Sequence, residues 1–592
     1  MRRPNPCWGI LTAFIQAAQC QESYDYIIAG AGTCGSVVAN RLSSNPDTTV
    51  LVIEPGLDER SNPNVTSVLG FLSAFNTSID WAYNVVPQAS LGGRDMQYHA
   101  GKAWGGTSTI NGMTYLRGDR AEVDAWERLG NDGWNWDALW PHYKAVERFE
   151  VPTPAQAAAG VSWDPAFHGL AGELATGYPF ELLNGSLHET WRQTWEGLGF
   201  PWNPDANGGD IRGISIWPET LDRDADTRED ASRAFLQPIL TRPNLKIIQG
   251  TVKRLTWKEG NGTCEADADG VEYLTAAGDD VTVLARKEVI LSAGSLRSPL
   301  ILESSGVGHP ETLEKLGITT KIDLPGVGEN MIEQPLAALA YSANFSNTTG
   351  TVGPFGLFVN AQDVFGDETA DMAASTRANL TTWAAQISAA NGGIINAAAL
   401  LQVFQVQHDL IFEQNVTIGE ILSNFAEQPG LGYIANVGWP LLPFSRGSVH
   451  LKSADAIDDP AIDPKYLLAD FDVTVMTAAG RVAQAFYYQE PIADSVIGYI
   501  SPGDAILPKN ATDQQWRDAL VASVTPNHHA LASAAMMSRE LGGVVDPQLR
   551  VYGTSNVRVV DASVIPLQIS GHLSATLYAV ADRAAGIILG EI

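Results

Sequence analysis

The stretch from Tyr24 to Glu54 constrains the fold more than any other part of the chain. Residues 24–28 read as a short apolar strand, Gly30-x-Gly32-x-x-Gly35 as a turn, and Val37, Val38 and Leu42 as the buried stripe of a helix. A second strand, residues 49–53, ends at Glu54, 24 positions after Gly30. The glycines permit a tight turn and let a pyrophosphate reach the helix N-terminus, where free N–H groups and the helix dipole favour anions. An acid at the end of the second strand is placed to accept from ribose hydroxyls. A bare glycine triplet carries little information. Between two strands and followed by a placed acid, it predicts a dinucleotide site.

Further β-branched, apolar segments recur at residues 245–249, at 288–291 running into Ser292-Ala293-Gly294-Ser295, and at 557–560. No internal repeat is visible. The pattern predicts an α/β chain, α+β overall, in which a discontinuous Rossmann-like domain is joined to a substrate domain of mixed sheet and helices. The expected divisions are 21–114, 235–325 and 526–592 for the nucleotide domain. Residues 115–234, which include a lid, and 326–525 are expected to form the substrate domain. Residues 134–149, with helical periodicity, are expected to pack on the nucleotide domain.

The start, Met1-Arg2-Arg3 followed by an apolar run over 7–18, predicts a secretory signal within residues 1–20. No other run reaches the roughly 18 apolar residues of a membrane-spanning helix. Sequons at Asn64, Asn76, Asn184, Asn261, Asn344, Asn347, Asn379, Asn415 and Asn510 agree with export to the extracellular space, cell wall or vacuole. The expected mature chain keeps Cys34 and Cys264. Cys34 lies inside the glycine turn, so no bridge between them is expected. A net charge of −30 argues against nucleic acid or an anionic membrane as partner, because both would repel it.

The chemistry is carried by Asn527-His528-His529 and by His572, on either side of the apolar strand that ends in Asp561-Ala562-Ser563. Imidazole suits proton transfer near neutrality. His99, His142, His168, His188, His309, His408 and His450 share no metal-ligand spacing, so no metal site is expected. Ser295 and Ser563 lie in no GxSxG elbow, which argues against a serine hydrolase. Two more stretches complete the set. Gly101 to Gly112, with Gly105-Gly106-Thr107-Ser108 at its centre, is small enough for close backbone approach to a flat ring. Gly294 to Gly308 is a strand end feeding a helix that closes in glycine.

Together these stretches resemble the glucose–methanol–choline (GMC) family of FAD oxidoreductases, and within it the fungal secreted branch of glucose oxidase, aryl-alcohol oxidase and patulin synthase. The resemblance covers nearly the whole mature chain, with further echoes at Gly133-Trp134-Asn135-Trp136 and Gly542-Gly543-Val544-Val545-Asp546. It implies that Gly30, Gly32, Thr33, Cys34 and Gly35 surround the pyrophosphate of FAD and that Glu54 takes the ribose. It places Thr107, Asn111, Gly112 and Thr114 along the flavin, Val252 at the adenine, and Asp561 near the ribityl–pyrophosphate stretch. His529 matches the family's catalytic base and His572 its second active-site position. Asn527, His528 and Trp439 are candidates for the substrate pocket. The flavin is expected to be held non-covalently, since no histidine lies in residues 105–111.

The implied reaction is oxidation of a small-molecule alcohol to aldehyde or ketone, with O2 or a quinone as acceptor, by a monomer or homodimer. Two departures bear on substrate. Thr525 stands where glucose-oxidising members carry arginine, and Ala532-Ser533 replaces the usual Gly-Thr. The loss of a guanidinium that grips sugar hydroxyls points to a non-sugar alcohol: benzylic, allylic or a fungal secondary-metabolite intermediate. The alternative is a non-redox cyclase of the same fold with structural FAD, against which retention of both His529 and His572 argues.

Overall fold

Five parallel strands, drawn from three separated stretches of chain, carry the glycine turn. Ser23–Ala29 is central, paired with Val50–Glu54 on one side and with the last part of Asp280–Leu291 on the other. The first part of Leu245–Trp257 adds beside Val50–Glu54, and Val557–Val559 beside Asp280–Leu291. Ile28 faces Val52 and Ile290 across these ladders. Every residue of Val50–Glu54 is buried, as are Ile27, Ile28 and Ala29. That is why these strands read as continuous apolar runs: a parallel sheet is covered on both faces.

This computed structural model describes residues 22–68, 70–179, 187–259, 265–344, 355–428 and 431–592. The expected signal within 1–20, Cys264, and the sequons at Asn184, Asn261 and Asn347 lie outside them. Of the remaining sequons, Asn76, Asn344, Asn379, Asn415 and Asn510 are exposed, and Asn64 is half-buried, accepting from the Ser73 hydroxyl at 3.1 Å. Among the described residues no helix is long and apolar enough to cross a membrane.

Two of the strands run further than the sequence suggests. Leu245–Trp257 and Asp280–Leu291 extend past the parallel sheet and join Ala268–Thr275 in an antiparallel meander. There only alternate positions such as Val283 and Ala285 are buried, so the apolar signal thins although the pairing continues.

A second, antiparallel sheet runs in the order Val496–Ser501, Pro335–Ala343, Leu431–Pro440, Thr417–Gln428, Phe355–Asn360 and Gly213–Ile216. Helix Asp470–Phe486 covers one face, so close at Gly419 that a Cβ there would lie 3.5 Å from that of Ala479. Residues alternate across a strand, so Glu420 points to the other face, and Trp439 pairs directly opposite it. A smaller sheet unites Tyr83–Gln88 and Arg94–Tyr98 with Ala461–Asp463 and Ser448–His450. Helix Trp136–Val146 packs on Leu573–Leu589, where the Tyr143 and Thr576 hydroxyls meet at 2.9 Å and Arg583 lies 4.9 Å from the Trp134 ring.

Candidate active site

The glycine turn has the shape that a nucleotide would require. Gly30 adopts φ +106°, and a Cβ there would strike the Ser292 carbonyl oxygen at 2.4 Å. A Cβ on Gly35 would reach the Gly30 carbonyl oxygen at 2.1 Å, so the helix starts hard against the strand end. Gly32 caps helix Thr33–Leu42 with no side-chain hydrogen bond, which leaves the first-turn N–H groups beside Thr33 and Cys34 without a capping acceptor. Cys34 is buried and its Sγ lies 3.6 Å from the Leu577 carbonyl, so it serves packing.

Glu54 is buried at the strand end, where its two oxygens accept from the amides of Ala31 at 2.9 Å and Gly56 at 2.7 Å. Burial raises its pKa to about 7 although both amides oppose the rise. Val252 lies three residues beyond Gln249, the partner of Glu54 in the sheet. The loop from Gly105 to Thr114 lies against the turn, with a Cβ on Gly106 reaching 2.7 Å from the Gly32 Cα. Thr107 and Gly112 are exposed, and a side chain on Gly112 or Gly294 would meet nothing within 4 Å. These glycines therefore line open space, whereas Gly30 and Gly35 line contacts. Asp561 closes the wall, accepting from Gly294 N–H at 3.0 Å, the Ser298 hydroxyl at 2.5 Å and Ser563 N–H at 2.9 Å. The Thr114 carbonyl accepts from the Ser574 hydroxyl at 2.8 Å, which ties this loop to the helix that begins just after His572.

The two histidines meet across the space that follows. Their ring centroids are 5.2 Å apart at an interplanar angle of 78°. His529 Nδ1 lies 2.7 Å from Gln334 Oε1, and the Gln334 amide is oriented by donating Nε2–H to the Leu441 carbonyl at 3.0 Å. A carbonyl oxygen only accepts, so the proton sits on Nδ1 and Nε2 carries the lone pair. His572 Nε2 lies 3.0 Å from the wholly buried Glu420 carboxylate, which leaves Nδ1 as its other ring nitrogen. Neither His529 Nε2 nor His572 Nδ1 has a protein partner among the described residues. Burial, then the neighbouring His572 and His528, hold the His529 pKa well below the imidazole value, so the ring is neutral. That is the protonation state of a base.

His528 is turned elsewhere. It adopts φ +65° and accepts at Nδ1 from His99 N–H at 3.2 Å. Its ring meets Tyr98 and His99 edge-on, each with centroids at 5.1 Å, and burial lowers its pKa to about 3. Asn527 Nδ2 lies 3.3 Å from Gln334 Oε1 and 3.1 Å from His529 Nδ1, and so belongs to the histidine's surroundings. Trp439 is buried and packs edge-on to His572 at 5.9 Å, with Trp217 at 6.4 Å on the same ring.

Sequence reasoning missed Gln334, Glu420, Trp217 and Glu333. Glu333 Oε1 accepts from Asn527 N–H at 3.0 Å, beneath the histidine-bearing loop, and burial raises its pKa to about 8. Glu420 had a signal, an acid between Ile418 and Ile421 in an apolar strand, where an unpaired charge would be costly. Gln334 had none.

GMC oxidoreductase family profiles match residues 24–336 at the N-terminal side and 443–581 at the C-terminal side. The chain belongs to the GMC oxidoreductase family. A glucose oxidase-like protein, fsoC, of Humicola fuscoatra is 51% identical over 97% of both chains. Glucose oxidase of Penicillium chrysogenum is 36% identical over 96% of this chain and 92% of its own. Among solved structures, an FAD-dependent oxidoreductase from Chaetomium thermophilum matches at TM-score 0.86 and 29% identity, covering 96% of this chain and 99% of that one. A fungal aryl-alcohol oxidase matches at 0.85 and 26% with the same coverage. The GMC fold, an FAD cofactor and alcohol oxidoreductase activity on a small molecule follow for this chain.

Proposed function

We propose that this GMC protein oxidises a non-sugar alcohol, with His529 as the base that takes the hydroxyl proton. The supporting observation is the pair of facing rings, each with one nitrogen tied to a buried polar partner and the other turned to the shared space. His529 Nε2 would accept the proton. His572, with both ring nitrogens protonated between the Glu420 carboxylate and the substrate, would donate Nδ1–H to the same oxygen and stabilise charge as it develops. FAD, when bound, supplies the hydride acceptor. Thr33, Cys34, Gly32 and Glu54 would hold its adenosine diphosphate end, with Val252 at the adenine, and Thr107, Asn111, Gly112, Thr114 and Asp561 would hold the flavin side. The thiol of Cys34 takes no part, since its Sγ is directed at a carbonyl.

The substrate reading rests on Thr525, a short exposed side chain where glucose-oxidising members carry arginine, and on the aromatic wall of Trp439 and Trp217. A benzylic, allylic or secondary-metabolite alcohol fits such a wall, and O2 or a quinone would take the electrons. We also propose export through a cleaved N-terminal signal, with glycans at the exposed sequons.

The test is anaerobic flavin reduction by a panel of alcohols. His529→Ala should keep its flavin and slow reduction by about 10²–10⁴-fold, the usual worth of a positioned base. His572→Ala should also slow it, the two losses combining to less than their product because both act on one oxygen. His528→Ala should be much milder. Wild-type reduction rates in His529→Ala would overturn the assignment. Substrate conversion with no flavin reduction would favour the cyclase reading.

A further inference from the structure

Arg228 is wholly buried, and its guanidinium is aimed at the loop from Ser108 to Asn111. Nε donates to the Val65 carbonyl at 2.9 Å. Nη1 donates to the Ser108 carbonyl at 3.3 Å, and to the Asn111 carbonyl and Asn111 Oδ1 at 2.7 Å each. Nη2 is buried with no hydrogen-bond partner among the described residues. The neighbouring chain grips the same loop. Ala231 N–H donates to the Ser108 hydroxyl at 2.9 Å, and a Cβ on Gly105 would meet Asp230 Oδ1 at 2.8 Å. Burial lowers the Arg228 pKa to about 10, with Asp230 and Glu219 opposing the shift. A cation held mainly by neutral carbonyls is an expensive way to fill space that an alkyl chain could occupy.

Its contact with Asn111 gives it a more specific task. Asn111 Oδ1 also accepts from Met113 N–H at 3.1 Å. A guanidinium and a backbone amide can only donate, so the atom facing both must be the oxygen. The amide is thereby locked against a flip. Its Nδ2, which has no protein partner among the described residues, is turned away from both donors, in the residue preceding the open position Gly112.

We infer that Arg228 is a positioning residue for the cofactor: it fixes the Asn111 amide so that N–H, never C=O, is offered to the flavin. This rests on the reading of the Asn111 loop as a flavin-facing wall. A donor at that edge favours the more electron-rich reduced flavin, so Arg228 acts on affinity and redox poise through Asn111.

The experiment compares Asn111→Ala, Arg228→Lys and the double variant as holoenzymes, reading FAD retention on dilution, the visible absorption bands and the reduction potential against a dye. Each single variant should weaken FAD retention about 5- to 10-fold, the worth of one hydrogen bond, and should move the bands and lower the potential. The double variant should be no worse than the more severe single. Effects that multiply would overturn the inference, as would an Arg228→Lys protein that melts earlier with bands and potential unchanged. So would an Asn111→Ala protein unaltered in all three readouts. If Arg228→Lys yields no folded holoenzyme, Asn111→Asp carries the test. It gives Arg228 a carboxylate partner and removes the outward donor, so FAD should be lost more readily, and unchanged retention and potential refute the inference. Anaerobic reduction of each folded variant by an alcohol reports separately on the histidine pair.

Discussion

His450 is a half-buried imidazole gripped at both ends, and replacing it should alter how stability depends on pH. Nδ1 lies 2.7 Å from Glu303 Oε1 and Nε2 lies 3.0 Å from Glu329 Oε1. Glu303 Oε2 also accepts from Leu451 N–H at 2.9 Å, so the bracket ties strand Ser448–His450 to helix Ser298–Ser304 beside Asp561. Burial alone would lower the pKa of His450, but the two carboxylates outweigh it and carry it up to about 10 from an ordinary 6.5. A raised pKa means that the folded state binds the proton more tightly. The stabilisation is therefore complete below about pH 6.5 and is lost as pH climbs towards 10. At 1.36 kcal/mol per tenfold step in proton affinity, the full contribution is about 4–5 kcal/mol. Roughly 2 kcal/mol of it should disappear between pH 6.5 and 8.5. Urea unfolding of the FAD-loaded protein, followed by flavin release, would be run for wild type and His450→Gln across pH 6.5 to 9.5. The stability difference should shrink by about 1.2 kcal/mol per pH unit on average across that window, close to the slope of one proton. A difference that stays constant with pH would mean that His450 is neutral between its two carboxyl groups, and the argument would fail.

Glu420→Gln should keep the flavin and slow its reduction by an alcohol about 5- to 30-fold, because a charge-assisted hydrogen bond to His572 becomes a neutral one. Rapid-mixing absorbance would measure it, and a wild-type rate would show that the charge on Glu420 is idle. Acid precipitation should release all the flavin into the supernatant, whereas yellow colour retained by the pellet would indicate a covalent link. N-glycosidase treatment of protein from its native host should lower its apparent mass, and an unshifted band with Met1 retained would sink the export reading.

The nucleotide-binding part of the fold was legible because its determinants are local. The Gly30 turn, the apolar runs on both sides and Glu54 fall within one strand–helix–strand unit, and the buried parallel strands read as continuous hydrophobic segments. The strand before His572 was visible for the same reason. The antiparallel meander was harder to see, since Ala268–Thr275 is buried only at Ala268, Gly270 and Val271, is half-buried elsewhere, and has no matching apolar run.

The sequence by itself determined which residue types are available: a glycine turn, a small-residue loop and two histidines 43 positions apart. Only the tertiary structure decided how those histidines are used. Gln334 lies 195 positions from His529 and Glu420 lies 152 from His572, yet each fixes which ring nitrogen is left free. Likewise, nothing near Arg228 in sequence announces that it holds Asn111, 117 positions away. Such partners are chosen by sheet register and chain crossing, which bring distant side chains within 3 Å of each other. A side chain's protonation state and orientation are properties of those neighbours, and they exist only once the chain has folded.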